Sequence, residues 1–381
     1  MAEALTIANC TAVLPKAVVP ACNILIAEGR IVALGPEVDP QGEVVDAGGL
    51  IALPGFVDAH VHGAAGHEFN EASEEGAAAI LRAHARFGTT ALLAAVHTDS
   101  PERMLAAIEN LAALAEPEDG AALLGIYVEG PFLNPQYCGA QPTDFILPPD
   151  LDLFVKMHEV ARGRMRVFAL APEIPGAREI IRAAVQRGVR VSMAHTNATY
   201  AQVKEAVAQG LSQVTHLFNG MRGLHHREPG AAGAGLLINE LDVEMIADGI
   251  HVVPEVVSLA IRSKGPERVL LISDALGPTG LPPGRYQFAG QPVAVSEGRA
   301  TLVDKGIPLS VCTAARAFAN VGEWTGLPLP DLARMACLNP ARIAGCAERK
   351  GALQVGCDAD IALMDSHYEV RTVYLRGRRL A

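Results

Sequence analysis

Between Leu53 and Ala275 the chain repeats one pattern, a short apolar β-prone run followed by a stretch with helical spacing. Eight such runs can be read: LPGFVDAHVH, TTALLAAVH, ALLGIYVEG, MRVFALAPE, VRVSMAH, SQVTHLFNG, VEMIADGIHV and RVLLISDA. Ala-rich helical stretches such as EEGAAAILRAHARFG, PERMLAAIENLAALA and GAREIIRAAVQRG lie between several of them. Strands separated by helix-length crossovers pair in parallel. Eight such units predict an α/β fold of the (β/α)8 TIM-barrel type, whose sites form at the C-terminal ends of the strands. Two pieces fall outside the repeat. YQFAGQPVAVSEGRATL reads as an inserted hairpin, and two helices at about 309–345 close the barrel.

The two chain ends read differently. TIANCTAVL, NILIAEGRIVALG and EVVDAGGLIAL are short β-prone runs broken by Gly, Pro and Asn, with EGR as a hairpin-like turn. From about Lys350 that style returns in DADIALMD and YEVRTVYLRGRRLA, so residues 1–53 and 346–381 predict one small sheet domain beside a barrel spanning 54–345. Half of the residues are hydrophobic and 19% are charged, enough to bury a large core. With 42 acids against 31 bases the formal charge is -11, which argues against nucleic-acid and anionic-membrane partners. The seven cysteines contain no CxxC pair, the N-terminus lacks a signal-peptide pattern, and no apolar run reaches membrane-spanning length. A cytoplasmic location is expected.

Polar residues placed on this pattern fall at one end of it. His60 and His62 end the first strand, Glu129 the third, His195 the fifth and Asp274 the eighth, while His216 sits in the sixth. Alternate strand residues share a face, so His60 and His62 should project together. Any one of these residues could be a hydrogen-bonded core or loop residue. Six at the same end of successive strands predict a site. Imidazoles with a carboxylate hold one or two divalent metal ions, zinc before iron, manganese or cobalt. Asp274, beside such a centre, suits proton transfer from water to a leaving amine. The expected chemistry is metal-assisted hydrolysis of an amide or related C–N bond.

The segments PGFVDAHVHG, YVEGPFLNPQYCGAQP, MAHTNATY, THLFNGM, REPGAAG, IADGIHV, LISDALGPTG and KGALQVGCDADIALMD run along nearly the whole chain. They resemble the N-acetylglucosamine-6-phosphate deacetylase family of the amidohydrolase superfamily. That resemblance implies a metal-dependent barrel with a small β-sandwich built from both termini. The activity it implies is deacetylation of an amino-sugar phosphate in amino-sugar catabolism. It further implies that Glu129, His195 and His216 hold the principal metal and that Asp274 is the catalytic acid–base. Asn219, Gly220 and His251 match substrate-contacting positions, and Arg227 matches a phosphate-binding arginine that the adjacent subunit can lend, which implies a homodimer. An arginine fork pairs well with phosphate oxygens. N-acetylgalactosamine 6-phosphate, another N-acyl amino-sugar phosphate and a cyclic amide remain alternative substrates.

Three features depart from or vary within that family pattern. Both His60 and His62 are present, where some relatives lack the pair, which leaves room for a second metal bridged by Glu129. Gln141 stands where some relatives carry a histidine that polarises the acyl carbonyl. LVDKGIPLS replaces an LAGS-like substrate loop, with Ile307 placed in the substrate region. The remaining polar residues get structural readings: Cys138 a loop thiol, His67, His84, His97, His158 and His367 framework residues, and Glu173 a hydrogen-bonder at the barrel mouth.

Overall fold

The structure, a computed structural model, describes residues 4–380. All eight expected barrel strands form: β1 (Phe56–Val61), β2 (Thr89–Val96), β3 (Ala122–Glu129), β4 (Met165–Leu170), β5 (Arg190–Met193), β6 (Leu211–Val214), β7 (Asp242–Ile246) and β8 (Val269–Ile272). Each pairs in parallel with its sequence neighbours. A Val61–Ala275 bridge, with His62 N donating to Ala275 O at 2.9 Å, joins the first and last strands. Buried on both faces, these strands read as continuous apolar runs rather than alternating ones. Ser73, Ser100 and Thr199 cap three of the crossover helices by accepting from Gly76 N, Arg103 N and Gln202 N.

Three strands stop sooner than their apolar runs suggest. β5, β6 and β8 end two residues before His195, His216 and Asp274, whose φ angles are 44°, 29° and 50°. Left-handed backbone cannot continue a β ladder, and non-glycine residues adopt it only where their surroundings hold them. His216 therefore lies beyond the sixth strand and not within it.

The insertion is larger than a hairpin. Gly284–Phe288, Gln291–Ser296 and Arg299–Leu302 form an antiparallel meander, and Pro308–Leu309 returns to pair with it as a fourth strand. The extra strand comes from LVDKGIPLS, which carries too short a β-prone run to declare itself. Two helical stretches follow, Ala314–Thr325 and Leu329–Ile343, the second containing a π turn at Arg334–Leu338.

Strands from both ends of the chain build one further eight-stranded sheet. Ile51–Pro54 pairs with Ile361–Met364 and so joins the two ends, while Glu28 and Gly29 make the EGR turn with positive φ. Ile7, Ile24, Ile31, Ile361 and Tyr374 give it a core of its own, which fits the small β unit expected. All seven cysteines are free. Among the described residues no helix is long and apolar enough to cross a membrane.

Candidate active site

Parallel strands in a closed barrel aim their C-terminal ends at one rim, and there the expected residues converge. His60 Nε2 and His62 Nε2 lie 3.1 Å apart. Asp274 Oδ1 is 3.2 Å from His62 Nε2 and 3.6 Å from His60 Nε2. Across the rim, Glu129 Oε1 is 2.9 Å from His216 Nε2 and 3.2 Å from His195 Nε2, while Oε2 is 3.3 Å from His62 Nε2. Two triads result, His60–His62–Asp274 and Glu129–His195–His216, and Glu129 faces both.

The donor set asks for a cation. Tyr137 O can only accept, so His195 Nδ1, 2.8 Å away, carries the proton. His195 Nε2 then faces Glu129 Oε1 at 3.2 Å, a contact that is favourable only with a proton or a cation between the two atoms. Burial opposes charge on His62, yet hydrogen bonds to Asp274 and Glu129 outweigh it and raise its pKa to about 10. The same contest raises His216 to about 9 through Glu129. Burial likewise works against the carboxylates, but His195, His216 and His62 hold Glu129 well below its usual range, and His60 and His62 hold Asp274 down. A protein field that draws protons onto buried imidazoles would equally favour a divalent ion.

Beneath the rim the barrel interior carries several buried polar groups among apolar ones. Glu244, fully buried in β7, lies 3.0 Å from His60 Nδ1, accepts from Gln213 Nε2 at 2.6 Å and from His216 N at 3.2 Å. Asp58 accepts from His60 N and Ser273 N, pinning β1 to β8 where the β1–β2 register is broken. The Tyr127 ring stacks on His60 at 4.2 Å, and its hydroxyl meets Thr215 Oγ1 at 2.7 Å. Sequence reasoning did not single out Glu244. Its one signal was an acid inside an otherwise apolar run. Glu244→Gln keeps the shape but removes the charge that orients His60, so metal affinity is expected to fall roughly 10- to 100-fold. Competition with a chromogenic chelator measures it, and unchanged affinity would make Glu244 a packing residue only.

A cleft opens above the cluster. Gln141, Asn219, Gly220, His251 and Ile307 line it together with the rim residues. Gly220 has φ 57°, and a Cβ there would come 2.6 Å from His195 Nδ1, so no larger residue fits. His251 Nδ1 is tied to Asp248 Oδ2 at 2.6 Å. Gln141 Nε2 donates to Glu129 Oε2 at 2.6 Å and its Oε1 accepts from Thr98 N, so one of its N–H groups is committed to the carboxylate. Arg227 is the exception: exposed, against His226 Nε2, it does not line the cleft of its own chain. Glu173 accepts from Asn134, Thr196 and Asn197 at the barrel mouth, as expected. His67 pairs with Glu71.

A (β/α)8 barrel whose rim carries two histidine–carboxylate triads around a shared glutamate defines the amidohydrolase class, and residues 51–380 match the Amidohydrolase family model. An N-acetylglucosamine-6-phosphate deacetylase of Lysinibacillus sphaericus is 35% identical over 93% of this chain and 92% of its own length. An N-acetylgalactosamine-6-phosphate deacetylase of Escherichia coli O157:H7 is 34% identical over 93% of this chain and 94% of its own. A solved structure of a Mycobacterium smegmatis N-acetyl-D-glucosamine-6-phosphate deacetylase superposes with a TM-score of 0.92 at 32% identity, covering 100% of this chain and 99% of that one. That protein is an aspartate-to-alanine mutant in complex with N-acetyl-D-glucosamine-6-phosphate. The chain belongs to the N-acetylglucosamine-6-phosphate deacetylase family of the amidohydrolases.

Proposed function

We propose that the protein hydrolyses the N-acetyl amide of N-acetyl-D-glucosamine 6-phosphate, giving D-glucosamine 6-phosphate and acetate. The observation that carries this reading is the juxtaposition of the Asp274 triad with the Glu129 triad, Glu129 reaching His62 at 3.3 Å. In this reading Glu129, His195 and His216 hold the principal divalent metal, and His60 and His62 hold a second. A divalent ion there lowers the pKa of water toward neutrality and polarises a carbonyl. Zinc suits the imidazole–carboxylate set best, with iron, manganese or cobalt as alternatives.

Asp274 begins ionised, since the neighbouring imidazoles outweigh the cost of burying its charge. It takes a proton from the attacking water and returns it to nitrogen as the C–N bond breaks. The sugar leaves as an amine, and the acyl carbon keeps the water oxygen as acetate. Asn219, Gly220, His251, Gln141 and Ile307, lining the cleft, hold the amino-sugar phosphate. Arg227, exposed on the loop after β6, would serve the cleft of a second copy, making the protein a homodimer with two phosphate clamps, one at each cleft. The reading places the enzyme in the cytoplasm. The E. coli relative supports the galacto epimer as a second substrate.

The deciding measurement is acetate release from both phosphorylated epimers and from unphosphorylated N-acetylglucosamine, with metal content determined on the same sample. Preference for N-acetylglucosamine 6-phosphate with one or two metals per chain is expected; bound metal without release from any of the three would overturn the substrate. Arg227→Ala should raise KM for the phosphorylated sugar roughly 10- to 100-fold. It should leave turnover of the unphosphorylated sugar unchanged.

A further inference from the structure

The cleft is chemically divided. Asn219, Gly220 and His251 face it from the barrel loops, while Leu276, Phe288 and Leu309 give it an apolar wall. That wall belongs to the four-stranded insertion, whose separate core includes all three residues. Phe288, 3% exposed, ends the insertion's first strand. Phe288 lines the cleft, whereas Tyr286, Gln287 and Ala289 around it line a second cavity with Glu68 and His97. The Phe288 ring lies 6.4 Å from the His62 imidazole and 5.0 Å from that of His97, between centroids. The ring therefore stands beside His62 at the cleft and against His97, which lines the second cavity.

An N-acyl amino-sugar phosphate has one apolar appendage, the acyl tail, and its carbonyl carbon must sit beside Asp274. The sugar hydroxyls and phosphate match the polar side, which leaves the tail facing the apolar wall. We propose that Phe288 is a specificity-determining residue that gauges acyl length, its ring stopping the tail at acetyl. The inference rests on the deacetylase reading above and deepens it. A hydrophobic wall discriminates by roughly 10- to 200-fold per methylene.

The test compares kcat/KM for N-formyl-, N-acetyl- and N-butyryl-glucosamine 6-phosphate in the wild type, Phe288→Ala and Phe288→Trp. The wild type should favour acetyl over butyryl by about 100-fold or more. Phe288→Ala, which removes the ring from the apolar wall, should shrink that ratio at least about 10-fold, and Phe288→Trp should shift the formyl-to-acetyl ratio about 10-fold toward formyl. Variants that hydrolyse the acetyl substrate with wild-type ratios would overturn the inference. If Phe288→Ala is inactive on all three, the formyl-to-acetyl ratio of Phe288→Trp decides alone. Absence of acetate release by the wild type would instead overturn the functional reading, and the gauge with it.

Discussion

Asp274→Asn is expected to lower kcat by roughly 100- to 10,000-fold while leaving KM and metal content near wild type. The amide side chain keeps the volume and one acceptor oxygen of the carboxylate, so the contacts of 3.2 and 3.6 Å to His62 and His60 can be approximated. What disappears is a group able to take a proton and then give it up. The carboxylate suits this step because buried imidazoles on one side hold it ionised, while it remains partly open to the cleft that delivers water and amide. Steady-state kinetics beside elemental analysis of the same preparation makes the measurement. A fall in metal content matching the fall in rate would reassign Asp274 from proton carrier to ligand.

Glu129→Gln should lower activity roughly 1,000-fold or more and lose its bound metal after dialysis. One carboxylate lies within 3.3 Å of His62, His195 and His216, and Gln141 donates to it as well. Neutralising it removes the only side-chain carboxylate, among the described residues, in contact with the second triad's imidazoles and leaves a buried site biased toward positive charge without its counter-ion. His60→Ala is the informative comparison, because it leaves Glu129, His195 and His216 in place and should keep at least one metal per chain. Metal counts by mass spectrometry, with circular dichroism to confirm folding, separate these outcomes. Full metal retention in Glu129→Gln would rule out a bridging carboxylate.

Most of the rim was legible in the chain. His60, His62, Glu129, His195 and Asp274 announce themselves because each ends an apolar run, and a parallel barrel puts all such ends on one face. Glu244 was not legible. A charged residue within Asp242–Ile246 gains meaning only when β6, β7 and β1 are brought together, so that one carboxylate reaches Gln213, His216 and His60 at once. Phe288 escaped for a related reason. It belongs to an insertion whose own strand pattern says nothing about which barrel residues lie under it, and only docking set its ring against His62. Arg227 shows the opposite limit: its motif is clear, but its own chain does not bring it to the cleft.

By itself the sequence determined the barrel, the terminal sheet, the chemical class of the site and the rim residues, because local periodicity and strand-end position are encoded one residue after another. The tertiary structure alone decided that Glu129 faces both triads, that Glu244 orients His60 from below and that Phe288 walls the cleft. Those facts depend on distances between strands far apart in the chain. Such distances are set by barrel closure and by packing of the insertion, which no local pattern of residues records.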